Sequence, residues 1–160
     1  MTLNARILQA ARDRGVMLTC AESCTGGLVA AALTELPGSS DIFDRGFVTY
    51  TNAAKIDLLG VCAQTLQTHG AVSEDVAREM AQGALARSQA QFAVSITGIA
   101  GPGGSEHKPE GRVCFALAGP EPLHSETIDF GAPGRDAVRT GARDHALGLI
   151  LRALTGTDTP

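Results

Sequence analysis

The segment from residue 16 to residue 33 limits the possible folds more than any other part of the sequence. Its apolar start, residues 16–18, leads into a polar stretch over residues 19–27, which is followed by a helix-forming run over residues 28–33. This order predicts a strand, a tight turn and a helix. Because the N-terminus of a helix carries free N–H groups and the positive end of the helix dipole, it favours negative charge.

The predicted turn contains three potential nucleophiles, Ser23, Cys24 and Thr25. Gly26 and Gly27 follow them and allow a ligand or another segment of backbone to approach closely. The alternative interpretation is an ordinary strand–helix loop in which a Ser or Thr side chain caps the helix. The turn by itself does not separate a catalytic site from a helix cap.

The length and charge of the chain exclude several classes of protein. The 160 residues suit a single domain, predicted to cover residues 1–160 with residues 155–160 as a frayed tail. Since we find no apolar run of ~18 residues and no signal-peptide pattern, we expect a cytoplasmic protein that does not span a membrane. The net charge of −4 without a dense basic cluster, the absence of Trp and the single tyrosine, Tyr50, argue against nucleic acid as a partner.

The four cysteines do not form a metal-binding pattern. Cys20 and Cys24 are four residues apart, and neither Cys62 nor Cys114 adds a paired zinc spacing. In a cytosolic chain we therefore expect buried, reduced thiols. Cys24 as a nucleophile is the alternative, and it requires a base from elsewhere in the fold.

Alternating patterns along the chain predict an α/β protein. The predicted helices cover approximately residues 2–14, 25–36, 53–59, 74–89 and 135–154. The predicted strands cover residues 16–21, 47–51, 92–97, 112–118 and 123–130, the last two as a hairpin. The helix that begins after Ser73 has the firmest periodicity, and Gly83 within it indicates close packing against a neighbour. We expect a three-layer α/β/α sandwich with a mixed, mostly parallel sheet.

Three further features suggest a ligand site. Asn52 can cap the short predicted helix, and Lys55 lies in its first turn, where a cation opposes the helix dipole. The Gly-rich loop over residues 98–104 follows a buried strand and can present N–H groups to an anion, although it matches neither the P-loop nor the dinucleotide pattern. Arg135 and Arg139 begin the last helix one turn apart, as two arginines that bind an anion would. A solvated lysine, a mobile turn that continues through an exposed loop over residues 106–110, and a solvated arginine face are the respective alternatives.

Six motifs together resemble one known family. They lie in order at residues 21–27, 38–40, 46–55, 69–73, 95–104 and 134–139. The chain resembles the CinA C-terminal domain family from approximately residue 5 to residue 152. The enzymatic members of that family are nicotinamide-nucleotide amidohydrolases, so the resemblance implies hydrolysis of nicotinamide mononucleotide (NMN) to nicotinic acid mononucleotide and ammonia.

The resemblance also implies a serine amidohydrolase that uses a Ser/Lys dyad without a metal or other cofactor. Ser23 matches the serine of the family motif, Lys55 matches the lysine, and Tyr50 matches the tyrosine, which can orient Lys55 or relay a proton. Thr51 stands where the family often has Ser. The residues predicted to contact substrate are Thr25, Gly26, Ser40, Asn52, Thr97, Gly98, Gly101, Arg135 and Arg139. Among these, either the two arginines or the Gly-rich loop is expected to hold the phosphate.

This chemistry places two demands on the fold. A lysine amine accepts a proton from serine only when it is neutral, which requires a pKa well below ~10.4 and hence burial of Lys55. A helix N-terminus beside Ser23 can supply N–H groups to the oxyanion, each worth roughly 3–4 kcal/mol in a known case.

A non-catalytic nucleotide-binding or regulatory module, linked to competence or DNA damage as the family name suggests, is the alternative function. The partner expected in either case is a small nucleotide. Because small α/β proteins commonly form symmetric dimers, we also expect a homodimer.

Overall fold

The computed structural model describes residues 1–105 and 107–156. Glu106 of the predicted exposed loop and residues 157–160 of the predicted tail lie outside the described residues. Thr155, which was assigned to that tail, is instead the last residue of a helix that Gly156 caps.

A five-stranded mixed sheet forms the middle layer, with the strand order β2-β1-β3-β4-β5. β1 pairs in parallel with both β2 and β3, whereas β4 is antiparallel to β3 and β5. Four strands therefore run in one direction and β4 alone opposes them, so the prediction of a mixed, mostly parallel sheet is confirmed. The strands are β1 Leu18–Glu22, β2 Phe43–Val48, β3 Phe92–Gly98, β4 Arg112–Ala118 and β5 His124–Asp129.

Helices cover both faces of the sheet, which confirms the three-layer α/β/α sandwich. α1, α2 and α6 pack on one face, and α5 packs on the other face with α3 and α4 against it. The helices are α1 Leu3–Arg14, α2 Leu28–Leu33, α3 Asn52–Leu59, α4 Ala63–His69, α5 Glu74–Ala86 and α6 Arg135–Thr155. No helix in the described part of the chain is both long and apolar enough to cross a membrane.

The side chains on the two faces of the central strand β3 differ in size, and this difference determines how closely helices can approach each face. Phe92 and Ile96 belong to the core beneath α1, α2 and α6. On the opposite side Ser95 is small, and its Oγ donates to the carbonyl of Ala77 in α5 at 2.6 Å. A helix can therefore lie close to the sheet on that side.

Gly83 brings α5 against the end of α3, as its place in the periodic helix predicted. A Cβ added at Gly83 would lie 2.0 Å from the carbonyl oxygen of Leu59, the last residue of α3. Only glycine leaves room for this approach. This contact fixes how closely α5 approaches α3, the helix that carries Lys55.

Several predicted boundaries were wrong for local reasons. α2 begins at Leu28 instead of residue 25, because Gly26 and Gly27 have φ values of +59° and +115°, which are not helical. α3 is capped by Thr51, whose hydroxyl accepts from the N–H of Ala54 at 3.1 Å. The predicted cap Asn52 is already helical. β2 ends at Val48, because the chain leaves the sheet there to begin α3.

Candidate active site

Ser23 lies at the carboxyl end of β1, where the strand turns toward α2. Its N–H donates to the carbonyl of Ile96 in the neighbouring strand β3 at 3.0 Å, so the first residue of the turn remains attached to the sheet. The side chain is only 7% exposed. Ser23 is therefore held at the edge of the sheet where the carboxyl ends of β1, β2 and β3 meet.

Lys55 projects from the first turn of α3 and is buried beside Ser23. Its Nζ lies 3.0 Å from Ser23 Oγ and donates to the carbonyls of Thr49 and Tyr50 at 2.9 and 3.4 Å. The residue is 1% exposed, so the alternative of a solvated surface lysine is wrong. Burial disfavours the charged form of an amine. The structure thus places the predicted nucleophile and base within hydrogen-bond distance.

Glu22 is a buried charged residue next to Ser23 that the sequence analysis did not single out. It is fully buried, and its carboxylate accepts from the N–H groups of Gly27, Val29 and Ala30 at 3.1, 3.0 and 2.9 Å. A glutamate at the end of an otherwise buried strand is the signal that could have identified it, since buried carboxylates require hydrogen-bond donors.

The expectation that free amides of the α2 N-terminus receive an oxyanion is therefore wrong for these three amides. No Ser or Thr side chain caps α2 either; its N-cap is Gly27. The first turn of the helix is instead occupied by the Glu22 carboxylate, which follows the preference of a helix N-terminus for negative charge.

Arg135 bridges two parts of the site that are far apart in sequence. Its Nη1 donates to the carbonyl of Gly101 at 2.7 Å, and its Nη2 donates to the hydroxyl of Tyr50 at 3.0 Å. The Tyr50 side chain is 59% exposed. Tyr50 contacts Lys55 through its carbonyl, whereas its hydroxyl, the group that could relay a proton, lies on Arg135.

Arg139 supports the turn and does not line the cleft. Its Nε donates to the carbonyl of Cys24 at 3.1 Å and its Nη2 to the carbonyl of Thr25 at 3.4 Å. Thr25 is fully buried, and a Cβ at Gly26 would lie 3.3 Å from Arg139. The hydroxyl of Thr25 has no hydrogen-bond partner among the described residues. None of these three predicted substrate contacts lines a cavity beside Ser23.

Two adjoining cavities form a cleft beside Ser23 and Lys55, the predicted dyad. The first, which we term the dyad cavity, has a volume of about 170 Å³ and is lined by Ser23, Cys24, Tyr50, Asn52, Lys55, Ala71, Val72, Thr97, Gly98, Ala100 and Arg135. The second, the loop cavity, has a volume of about 310 Å³ and is lined by residues 98–105 with Tyr50, Ala71, Val72 and Arg135. The shared lining residues make the two cavities one continuous cleft.

The predicted substrate contacts divide between this cleft and other places. Asn52, Thr97, Gly98, Gly101 and Arg135 line the cleft. The expectation for Ser40 was wrong, because it lies exposed in a single helical turn just before β2. The cleft is at the carboxyl end of β2, and a strand of this length extends about 17–20 Å.

Hydrogen bonds hold the Gly-rich loop over the cleft, which argues against the alternative of a mobile turn. Lys108 Nζ donates to the carbonyls of His69 and Val72, each at 2.6 Å. The carboxylate of Glu110 accepts from the N–H of Gly103 at 2.7 Å. These hydrogen bonds therefore connect the segments that line opposite sides of the loop cavity.

The cysteines are all free thiols, and three of them are buried as predicted, whereas Cys62 is exposed. Burial raises the pKa of the Cys24 thiol to about 11. The N–H groups of Gln64 and Thr65 at the start of α4 lower the pKa of Cys62. Since the thiolate is the nucleophile, this arrangement disfavours Cys24 as a catalytic residue.

Iodoacetamide at pH 7.5 is therefore expected to alkylate Cys62 well before Cys24. The difference follows from the exposure and lowered pKa of Cys62 and from the burial and raised pKa of Cys24. Peptide mass spectrometry over time measures both rates, with a Cys62→Ser variant as the control. Faster alkylation of Cys24 than of Cys62 would contradict this account.

The family model for the CinA C-terminal domain matches residues 1–154, which is nearly the whole chain. The chain belongs to the CinA C-terminal domain family. Among solved structures, the CinA-family domain resembles the competence/damage inducible protein CihA from Agrobacterium tumefaciens, with a TM-score of 0.90, 51% identity and coverage of 95% of this chain and 93% of that one. A CinA superfamily protein from Klebsiella pneumoniae has a TM-score of 0.92 and 37% identity, with 97% of each chain covered.

Curated relatives of this CinA domain fall into two lengths. The nicotinamide-nucleotide amidohydrolase PncC of Escherichia coli K12 is 51% identical over 148 residues, with 92% of this chain and 90% of the relative covered. A putative competence-damage inducible protein of Symbiobacterium thermophilum is 53% identical over 154 residues. That alignment covers 90% of this chain but only 36% of the relative. The domain thus matches nearly all of the first protein and approximately a third of the second.

Proposed function

We propose that this CinA domain hydrolyses the carboxamide of NMN to nicotinic acid mononucleotide and ammonia, with Ser23 as nucleophile and Lys55 as general base. The observation that carries the proposal is the 3.0 Å distance between Ser23 Oγ and Lys55 Nζ in a buried site. The PncC relatives, which cover almost the same length of chain, support the substrate and the reaction class.

The contacts of Lys55 suit a neutral amine. Such an amine has two N–H groups and one lone pair. For Lys55 to act as the base, its two N–H groups donate to the carbonyls of Thr49 and Tyr50, and its lone pair accepts from the hydroxyl of Ser23 in place of the donation from Nζ to Oγ. Because Lys55 is only 1% exposed, little solvent is available to stabilise a charged amine there.

The reaction proceeds in two halves. Lys55 Nζ takes the hydroxyl proton of Ser23 as Oγ attacks the carboxamide carbon, and the resulting ammonium returns that proton to the departing ammonia. A water molecule then attacks the Ser23 ester while Lys55 takes one of its protons. Lys55 returns this proton to Ser23 Oγ, and the carboxylic acid is released.

The oxyanion donor must differ from the amides that Glu22 occupies. We assign this role to the N–H of Cys24, since the residue after a nucleophile on a strand-to-helix turn supplies such a donor in other hydrolases. Arg139 holds the Cys24 carbonyl on the far side of the turn. This contact restrains the peptide group between Cys24 and Thr25, which follows the N–H of Cys24 in the turn.

A substrate with a ring and a charged tail would suit the two cavities of the cleft. The dyad cavity of about 170 Å³ is smaller than the ~300–1,000 Å³ of typical ligand pockets, so a nucleotide extends from it into the loop cavity. Arg135 lies where the two cavities meet. We therefore place the nicotinamide ring beside Ser23 and the phosphate at Arg135 and the Gly-rich loop.

Ammonia release from NMN by the purified protein, measured beside the Lys55→Ala variant, tests the proposal. We expect release by the wild type alone, with slower release from nicotinamide riboside, which lacks the phosphate. Ammonia release by both proteins would support the amidohydrolase activity but exclude Lys55 as the base. Release by neither would favour the nucleotide-binding module, and NMN binding by calorimetry would then be measured. The homodimer stays a prediction and needs a separate measurement of mass in solution.

A further inference from the structure

Glu22 is connected to both members of the dyad without lining the cleft. Its carboxylate binds three amides at the start of α2, and Ser23 is the next residue in the chain. Its carbonyl accepts from both the N–H and the hydroxyl of Thr49, at 2.8 and 3.3 Å. The carbonyl of Thr49 in turn accepts from Lys55 Nζ. Glu22 is therefore hydrogen-bonded both to the turn that positions the proposed nucleophile and to the segment that contacts the proposed base.

The side chain of Glu22 closes the turn that presents Ser23. The turn over residues 23–27 has left-handed backbone at Gly26 and Gly27, and its own backbone hydrogen bonds run only over short spans, from Gly26 N–H to the Ser23 carbonyl and from Leu28 N–H to the Thr25 carbonyl. Glu22 Oε1 binds Gly27 and Val29, and Oε2 binds Ala30. The carboxylate thus ties both ends of the turn to each other, from β1 to α2.

The three backbone N–H groups require a side chain that accepts hydrogen bonds and donates none. An ionised carboxylate accepts at both oxygens, whereas an amide in its place would direct an N–H2 group at one of the backbone N–H groups. Leaving a buried N–H group without an acceptor is costly, so the first turn of α2 would shift to restore its hydrogen bonds. Any such shift moves Ser23 relative to Lys55.

We propose that Glu22 is the positioning residue for the nucleophile: its buried carboxylate holds the Ser23 turn on α2 so that Oγ remains within hydrogen-bond distance of Lys55. The proposal rests on the proposed function for the identity of the nucleophile. Glu22 contacts neither cavity, so its effect is on the rate of the chemical step and not on substrate binding.

The test is the variant Glu22→Gln, which keeps the size of the side chain and replaces Oε2 or Oε1 with a donor. We expect kcat for NMN to fall about 10- to 100-fold with KM changed less than about threefold, because small misplacements of reacting groups have effects of this size. The matched control is Glu79→Gln. Glu79 also accepts a backbone N–H at a helix start, that of Cys62 at 2.8 Å, but lies outside the cleft.

A second readout does not depend on NMN. Phenylmethanesulfonyl fluoride labels an activated serine, since Oγ forms a bond to sulfur, fluoride leaves, and the base takes the hydroxyl proton. We expect Glu22→Gln to slow the labelling of Ser23 by about the same factor as kcat, measured by mass spectrometry on folded protein. A purely structural role would lower the melting temperature and leave both rates unchanged.

Each outcome decides one question. Equal labelling rates and equal kcat in wild type and Glu22→Gln would overturn the positioning role. Labelling of Ser23 that depends on Glu22, without ammonia release from NMN, would support the positioning role and exclude the proposed substrate. If ammonia is released but Ser23 is not labelled, the kcat and KM comparison decides. If Glu22→Gln does not fold, Glu22→Asp, which keeps the charge but withdraws the carboxylate, is measured in the same way, with the same decrease expected.

Discussion

Ser23→Ala is expected to lower kcat for NMN by about 10⁴-fold or more, because it removes the atom that forms the covalent intermediate. The change removes one oxygen from a side chain that is 7% exposed, so the fold and the binding of NMN are expected to persist. Ammonia release under saturating NMN measures kcat, and calorimetry measures the dissociation constant. Turnover at the wild-type rate would exclude Ser23 as the nucleophile.

A double substitution shows whether Ser23 and Lys55 act as one unit. Lys55→Met keeps a long, unbranched side chain in the buried position but removes the amine, and we expect it to lower kcat by about 10²- to 10⁴-fold. Since both residues serve the same proton transfer, the combination of Ser23→Ala with Lys55→Met should be no slower than Ser23→Ala alone. Multiplied losses in the double variant would contradict a dyad.

Gly83→Ala is expected to reduce the free energy of unfolding by about 2 to 3 kcal/mol, even though alanine is the better helix former by about 1 kcal/mol. The added Cβ would lie 2.0 Å from the carbonyl oxygen of Leu59, which is backbone and cannot rotate away. Either α3 or α5 has to move. Thermal unfolding measures the loss, which corresponds to a lower Tm by about 5 to 10 °C for a chain of this size.

The neighbouring substitution Gln82→Ala is the matched control for Gly83→Ala. Gln82 is exposed on the same helix, so its replacement should change the free energy of unfolding by less than about 0.5 kcal/mol. Because Leu59 ends the helix that carries Lys55, Gly83→Ala should also lower kcat below the value for Gln82→Ala. Equal stability of the two variants would show that α3 and α5 tolerate a larger separation.

Local patterns in the sequence predicted the layers of the fold and the firmest elements. The periodicity after Ser73 predicted α5 with its cap, and the turn at residues 119–122 predicted the hairpin of β4 and β5. These features depend on neighbours within a few residues, so they can be read from the order of residue types. The resemblance of six motifs to a known family likewise pointed to the CinA C-terminal domain and to Ser23 and Lys55.

Local patterns could not predict contacts between residues that are distant in the sequence. Arg135 and Arg139 are equivalent in the sequence, one turn apart on the same helix, yet Arg135 lines the cleft and Arg139 holds the turn behind it. Their roles depend on the direction that each side chain takes from α6. Ser40 was misplaced for a related reason, since it precedes its strand and the cleft lies beyond the strand's other end.

By itself the sequence predicted the α/β architecture from local periodicity, and the resemblance of its motifs to the family pointed to Ser23 and Lys55 as the proposed dyad, because the order of residues in a short segment is a local property. Only the tertiary structure decided that Lys55 is buried against Ser23, that the Tyr50 hydroxyl binds Arg135, and that Glu22 occupies the amides of α2. The physical reason is that strand order and the packing of α3 bring groups from separate segments together. A hydrogen-bond partner then depends on which donors and acceptors meet in space.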